Sequence, residues 1–235
     1  MQPLHINMIY QESVLPNFWI RIIDFGFRLL YNELAWTYDA VSWIASLGQW
    51  RQWQKAALPY LTGQSVLELA HGPGHMLLEL ELNGYNVTGI DLSPFMSRMA
   101  SHRLNRNNST VTVIRAKAQQ IPLAESSFDS VLSTFPTIFI VDPATLAELH
   151  RVLRPGGKLI IVPQARLTGA GILHRLIEWL YKITGQQAVP EEAQRKTSNW
   201  FMAEELFAGA GFRIEIEHVK LEKSIVTIVI ARKEH

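Results

Sequence analysis

Two acidic residues on either side of a glycine-bearing turn carry most of the chemistry legible in this chain. Glu68 sits inside an apolar run, residues 65–69, that reads as a short buried strand, and Ala70, His71, Gly72, Pro73 and Gly74 follow as a tight turn opening a helix at His75. A second apolar run, residues 85–90, comes after the helix stops at Gly84, and it ends in Asp91. Glycine is required where a turn takes backbone angles or close approaches that a β-carbon obstructs, and such a turn leaves the first helical N–H groups facing a ligand. Strand, turn, helix and strand make half of a mononucleotide-binding fold, with Asp91 placed to accept hydrogen bonds from a ribose. The G-x-G-x-x-G spacing of dinucleotide sites is not the pattern here. Glu68 would repel a diphosphate and suits a cationic ligand.

Other chemistries are poorly provided for. The chain has no cysteine, which removes disulfides, thiolate nucleophiles and cysteine-ligated metals, and fits a cytoplasmic protein. His71 and His75 flank the glycines but read as turn residues bonded to backbone rather than as bases, and no histidine pairs with them at a metal-ligand spacing. The net charge of +1 argues against nucleic acid or an acidic polymer as partner. No basic leader and no bilayer-length apolar run is evident, so a soluble or peripherally attached protein is expected.

Those residues need a scaffold, and 235 residues suffice for one globular domain with small additions. Residues 18–53 hold five of the seven tryptophans, and Phe18, Trp19, Ile22 and Ile23 begin an apolar pattern at helical spacing with a narrow polar stripe. It reads as a helix packed on the core, or else as an interfacial helix touching lipid. Residues 1–55 are expected to form an N-terminal helical cap and residues 56–235 the core. Within the core, residues 165–199 resemble an inserted helical lid, with Ile172, Leu173, Leu176 and Ile177 on one face. The last helix spans 201–211, and residues 212–220 and 224–231 alternate as two strands of a closing hairpin. Basic residues Arg98, His102, Arg103 and Arg106 are expected to face solvent.

Taken in order, these motifs resemble the class I S-adenosyl-L-methionine (SAM) dependent methyltransferases. Residues 68–74 match their first motif, E/D-x-G-x-G-x-G, with Ala70 in place of a glycine; residues 119–133 match "LP-x-x-x-x-x-FD-x-V", and residues 148–157 match "E-x-x-RVL-K/R-PGG". Residues 30–53 resemble the segment that precedes the core in the ubiquinone/menaquinone methyltransferase group and its phospholipid-methylating relatives, through Ala35, Tyr38, Asp39 and the run from Ser46 to Trp53. The resemblance implies an α/β fold: a Rossmann-like, seven-stranded, mostly parallel sheet with a C-terminal antiparallel hairpin and helices on both faces. It implies a methyltransferase using SAM, whose amino group Glu68 holds and whose turn is Ala70, His71, Gly72 and Gly74. Asp91 takes the ribose, Leu92 packs on adenine, and Ala118 and Gln119 lie beside the base, with Lys117 where relatives carry an aspartate. Thr134 faces SAM, Phe135 and the lid residue Tyr38 touch the acceptor, and no catalytic base is assigned. The aromatic cap favours a small hydrophobic acceptor: quinone-like, phenolic or a lipid headgroup. A SAM-binding protein without methyl transfer and a nicotinamide oxidoreductase remain the rival readings.

Overall fold

The structure is a computed structural model and describes Trp43, residues 46–168 and residues 198–234. Tyr38 and most of the expected cap and lid lie outside the described residues. Seven strands form one sheet: β1 (Ser65–Leu69), β2 (Asn86–Asp91), β3 (Thr112–Arg115), β4 (Phe128–Thr134), β5 (Leu153–Leu167), β6 (Phe212–Lys220) and β7 (Ser224–Lys233). Their order is β3-β2-β1-β4-β5-β7-β6, with β1 to β5 parallel and β7 antiparallel to both neighbours. Among the described residues the α-helices are α1 (Trp50–Lys55), α2 (His75–Leu82), α3 (Pro94–Arg106), α4 (Pro143–Val152) and α5 (Ser198–Gly209).

Central strands covered on both faces read as unbroken apolar runs rather than as alternating ones. Leu67 and Leu69 of β1 belong to the core shared with Leu146 and Leu149 of α4 and Phe207 of α5. Val66, on the opposite face, packs with Trp53 of α1, Leu77 of α2 and Leu104 of α3. The edge strand β6 carries Glu215, Glu217 and Lys220, charges that discourage pairing with another chain.

The ordered motifs have mechanical roles in this scaffold. Asp129 Oδ2 accepts from the backbone N–H of Gln64 and of Ser65, both at 2.9 Å, and Arg154 donates to its Oδ1 at 2.6 Å, so one side chain joins the starts of β1, β4 and β5. The Ser65 N–H bond, then the Arg154 contact, hold the Asp129 carboxyl below its ordinary range. Glu148 accepts from the N–H of Ile121, and Arg151 donates to the carbonyls of Ile121 and Leu123, which pins the loop before β4 to α4. The β5 register shifts between Ile161 and Gln164, where Pro163 has no N–H to give to the ladder. Beyond that bulge β5 runs on through Leu167, paired with Ser224, so residues 165–167 are sheet rather than lid.

At Gly74 (φ +78°) a Cβ would come within 2.8 Å of Ala100 Cβ and 3.0 Å of its Cα, so the turn closes only with glycine there. Ala70 takes a left-handed φ of 58° with a Cβ present, which costs roughly 1–2 kcal/mol. Ala70→Gly is therefore expected to raise stability by about 1 kcal/mol in urea unfolding, after the extra chain entropy of glycine is subtracted.

Candidate active site

The carboxyl ends of β1, β2 and β4 converge on the turn at residues 70–74. Ala70 N–H and His71 N–H both donate to Ile90 O, at 2.7 and 3.3 Å, which joins the turn to the end of β2. Asp91 fixes the next part: its Oδ2 accepts from Gly72 N–H at 2.9 Å and its Oδ1 from Ser93 N–H at 2.8 Å. With both oxygens anchored on backbone, the carboxylate is held rigidly, and its remaining lone pairs are available to a diol. Ser93 caps α3 by accepting from Met96 N–H, with Pro94 at the first helical position.

Two clefts open near Asp91, one lined by its hydrogen-bond partner Gly72 and the other by its chain neighbour Leu92. The first is narrow, about 20 Å³, enough for one water, and runs between Ala70, His71, Gly72, Pro73 and His75 on one side and Trp50, Gln54 and Thr134 on the other. The second is an open groove of about 610 Å³ beyond the ends of β2 and β3, walled by Leu92, Arg115, Ala116, Lys117, Gln120, Ile121 and Pro122. Leu92 is 57% exposed there, an apolar surface ready to be covered. Ala118 packs against the core and Gln119 donates its amide to Asp142 Oδ2, so the groove wall is built from their neighbours in sequence.

Glu68 does not line either cleft. Its register partners are Gly89 and Leu132, and it is 1% exposed beneath the turn on the α2 face. Burial first, then the Asp91 charge, push its carboxyl well above the ordinary carboxylate range. His71 is buried too, and desolvation lowers its pKa against the pull of Asp91. In the neutral ring Nδ1–H donates to Gly72 O at 2.7 Å, which leaves Nε2 as an acceptor. Glu68 Oε2 and His71 Nε2 are two of the three buried side-chain polar atoms with no partner among the described residues. Unpaired buried polar atoms cost about 1–3 kcal/mol each.

Sequence reasoning missed the α1 wall. Gln54 donates to Thr134 Oγ1 at 2.9 Å, Trp50 stacks on Phe135 at 4.2 Å between ring centroids, and Trp53 tilts against the same ring at 6.1 Å. Phe135 adopts φ 52°, a strained angle held by its N–H bond to Val162 O and by this aromatic packing. Trp53 is anchored in turn through Nε1–H to Ser224 Oγ at 2.8 Å. Arg103, expected in solvent, turns back to donate to the carbonyl of Pro73, because α3 crosses over the start of α2. The concentration of tryptophans in residues 18–53 is visible in sequence, but the contact of α1 with the end of β4 is not.

An α/β sheet with this order, an acid closing β2 and a glycine turn closing β1 are the features of a nucleotide-binding α/β fold. A methyltransferase domain model matches residues 67–161. Among curated relatives, the demethylmenaquinone methyltransferase of Symbiobacterium thermophilum is 28% identical over 88% of this chain and 92% of its own length. That of Mycolicibacterium paratuberculosis is 32% identical over 72% of this chain and 71% of its own. Two solved structures share the fold. The PH0226 protein of Pyrococcus horikoshii gives a TM-score of 0.54 at 22% identity, covering 86% of this chain and 96% of that one. Phosphoethanolamine N-methyltransferase 2 of Haemonchus contortus, solved with SAM, gives 0.54 at 20% identity over 80% of this chain and 53% of its own. The chain belongs to the class I SAM-dependent methyltransferases. Its cofactor is accordingly SAM, and among the described residues no helix is long and apolar enough to cross a membrane.

Proposed function

We propose that the chain methylates an aromatic, quinol-type acceptor, with SAM lying across the carboxyl end of the sheet from the narrow cleft to the open groove. The observation that carries the placement is Asp91, whose two oxygens are fixed by the N–H groups of Gly72 and Ser93 between the two clefts. On this reading Asp91 holds the ribose, Leu92 carries the base, and Glu68 with His71 lies under the amino acid end. Ala70, Gly72 and Gly74 shape the turn, Thr134 borders the narrow cleft, and Ala118 and Gln119 set the loop that backs the groove.

SAM, when bound, supplies an electrophilic methyl group and its own leaving group. What remains for the protein is orientation and exclusion of water. The narrow cleft has room for no more than a water, so α1 must yield for the amino acid end to enter, and its return would dry the reacting centre. Trp50 lines the cleft at that point and is backed by Phe135 and the buried Trp53, an aromatic wall suited to a flat apolar ring. Arg51 donates to His75 Nδ1, which leaves the other ring nitrogen carrying the proton at the cleft edge.

The quinol reading is supported by that wall and by the demethylmenaquinone methyltransferases among the relatives. Incubation with SAM and reduced demethylmenaquinone is expected to release S-adenosylhomocysteine (SAH) together with a quinone one methylene heavier, seen by mass spectrometry. Turnover of phosphoethanolamine with none of the quinol would overturn the acceptor class. Tight SAM binding with no turnover of either would instead favour the non-catalytic alternative.

A further inference from the structure

The geometry points to a purine site in the open groove that reads its base with hydrogen-bond donors, so that a nucleoside with a 6-oxo group is accepted alongside adenosine. This rests on the placement of SAM proposed above. Leu92, Ala116, Ile121 and Pro122 supply apolar walls, and the polar side chains bordering the groove are Arg115, Lys117 and Gln120. No carboxylate lines it. Adenine offers an acceptor at N7 and a donor at its 6-amino group, whereas hypoxanthine offers acceptors at both N7 and O6. Lysine and arginine match the second pattern, and glutamine matches the first. The Arg115 guanidinium is already engaged, since its Nε donates to Leu92 O at 3.1 Å. Lys117 is exposed at the groove and carries three donors and no acceptor.

A 6-amino group in this groove therefore has Gln120 as its side-chain acceptor and a cation as its neighbour. A 6-oxo group has Lys117 as a charged donor. The two side chains together predict a broadened base preference, with Lys117 as the residue that confers it.

The test compares the affinities of SAH and S-inosyl-L-homocysteine, its 6-oxo counterpart, by calorimetry on the full chain. The wild type is expected to bind the two within about threefold of each other, because a charged donor at a solvent-exposed site contributes modestly. Lys117→Asp exchanges donor for acceptor and is expected to shift the ratio towards SAH by about fivefold or more. Gln120→Leu is expected to shift it the other way. A wild-type preference for SAH above about tenfold, or a ratio unmoved by Lys117→Asp, would overturn the inference. Both positions are exposed, and thermal unfolding of each variant confirms that it is folded. Asp91→Ala, which is expected to weaken both ligands together, separates the two levels. If it leaves both affinities intact, the nucleoside does not lie against Asp91; if it abolishes both while Lys117→Asp changes nothing, only the base assignment fails.

Discussion

Asp91→Ala is expected to weaken SAM and SAH binding by at least about 100-fold, because two charge-assisted hydrogen bonds at roughly 1.5–3 kcal/mol each are lost together. The same carboxylate also receives the N–H groups of Gly72 and Ser93, so the substitution opens the turn and the start of α3 as well. A stability loss of about 1–3 kcal/mol should accompany the binding defect. Asp91→Asn separates the two effects. Its amide oxygen can still accept from one backbone N–H, so much of the stability should return, while its NH₂ group offers a ribose hydroxyl a donor where a charged acceptor stood. Calorimetric titration with SAH and urea unfolding on both variants give the two numbers independently. Unchanged SAH affinity in a folded Asp91→Ala protein would remove Asp91 from the site.

Asp91 was legible because several local rules agree on it. An apolar strand ends there, Gly89 precedes it, and a serine-proline helix start follows. The glycine turn and the closing hairpin were legible for the same reason, since each is specified by residues adjacent in sequence. What escaped were contacts that only folding creates. Gln54 and Thr134 meet across eighty residues of sequence, and Trp53 reaches Ser224 across more than twice that distance. Gln119 was read as facing the base, but its amide is drawn off by Asp142, whose other oxygen caps α4. The E-x-x-R pair marked a family in sequence; its task, holding residues 121–123 against α4, becomes visible only in three dimensions. Glu68, which the resemblance places at the amino group of SAM, lies deeper than the strand pattern implies, because an unbroken apolar run does not say how completely the turn above will cover it.

That depth leads to opposite expectations for stability and binding at a single residue. Glu68 has its pKa raised by burial and by Asp91, so in the ligand-free fold its protonated form is favoured. A group raised in the folded state contributes stability that is complete below its unfolded value, about 4.5, and is lost as pH climbs towards the raised folded value. His71, lowered by burial, works in the other sense: its contribution is present above the ordinary histidine value of 6.5 and is lost as pH falls below it. Glu68→Gln removes the first trend and leaves the second. The ligand-free variant should therefore be more stable than wild type at alkaline pH, with the gap closing as the solution is acidified. SAM affinity should move oppositely, since the ionised carboxylate is the form that pairs with an ammonium group. Wild-type affinity is expected to rise with pH, and Glu68→Gln to weaken binding by about 10- to 100-fold while flattening that rise. Thermal unfolding across pH, alongside titrations in buffers of different ionisation enthalpy, measures both arms. Proton release on SAM binding in the wild type and its disappearance in the variant are the expected signature. A variant that loses stability at every pH and keeps its affinity would mean that Glu68 is a packing residue of β1 with no part in holding SAM.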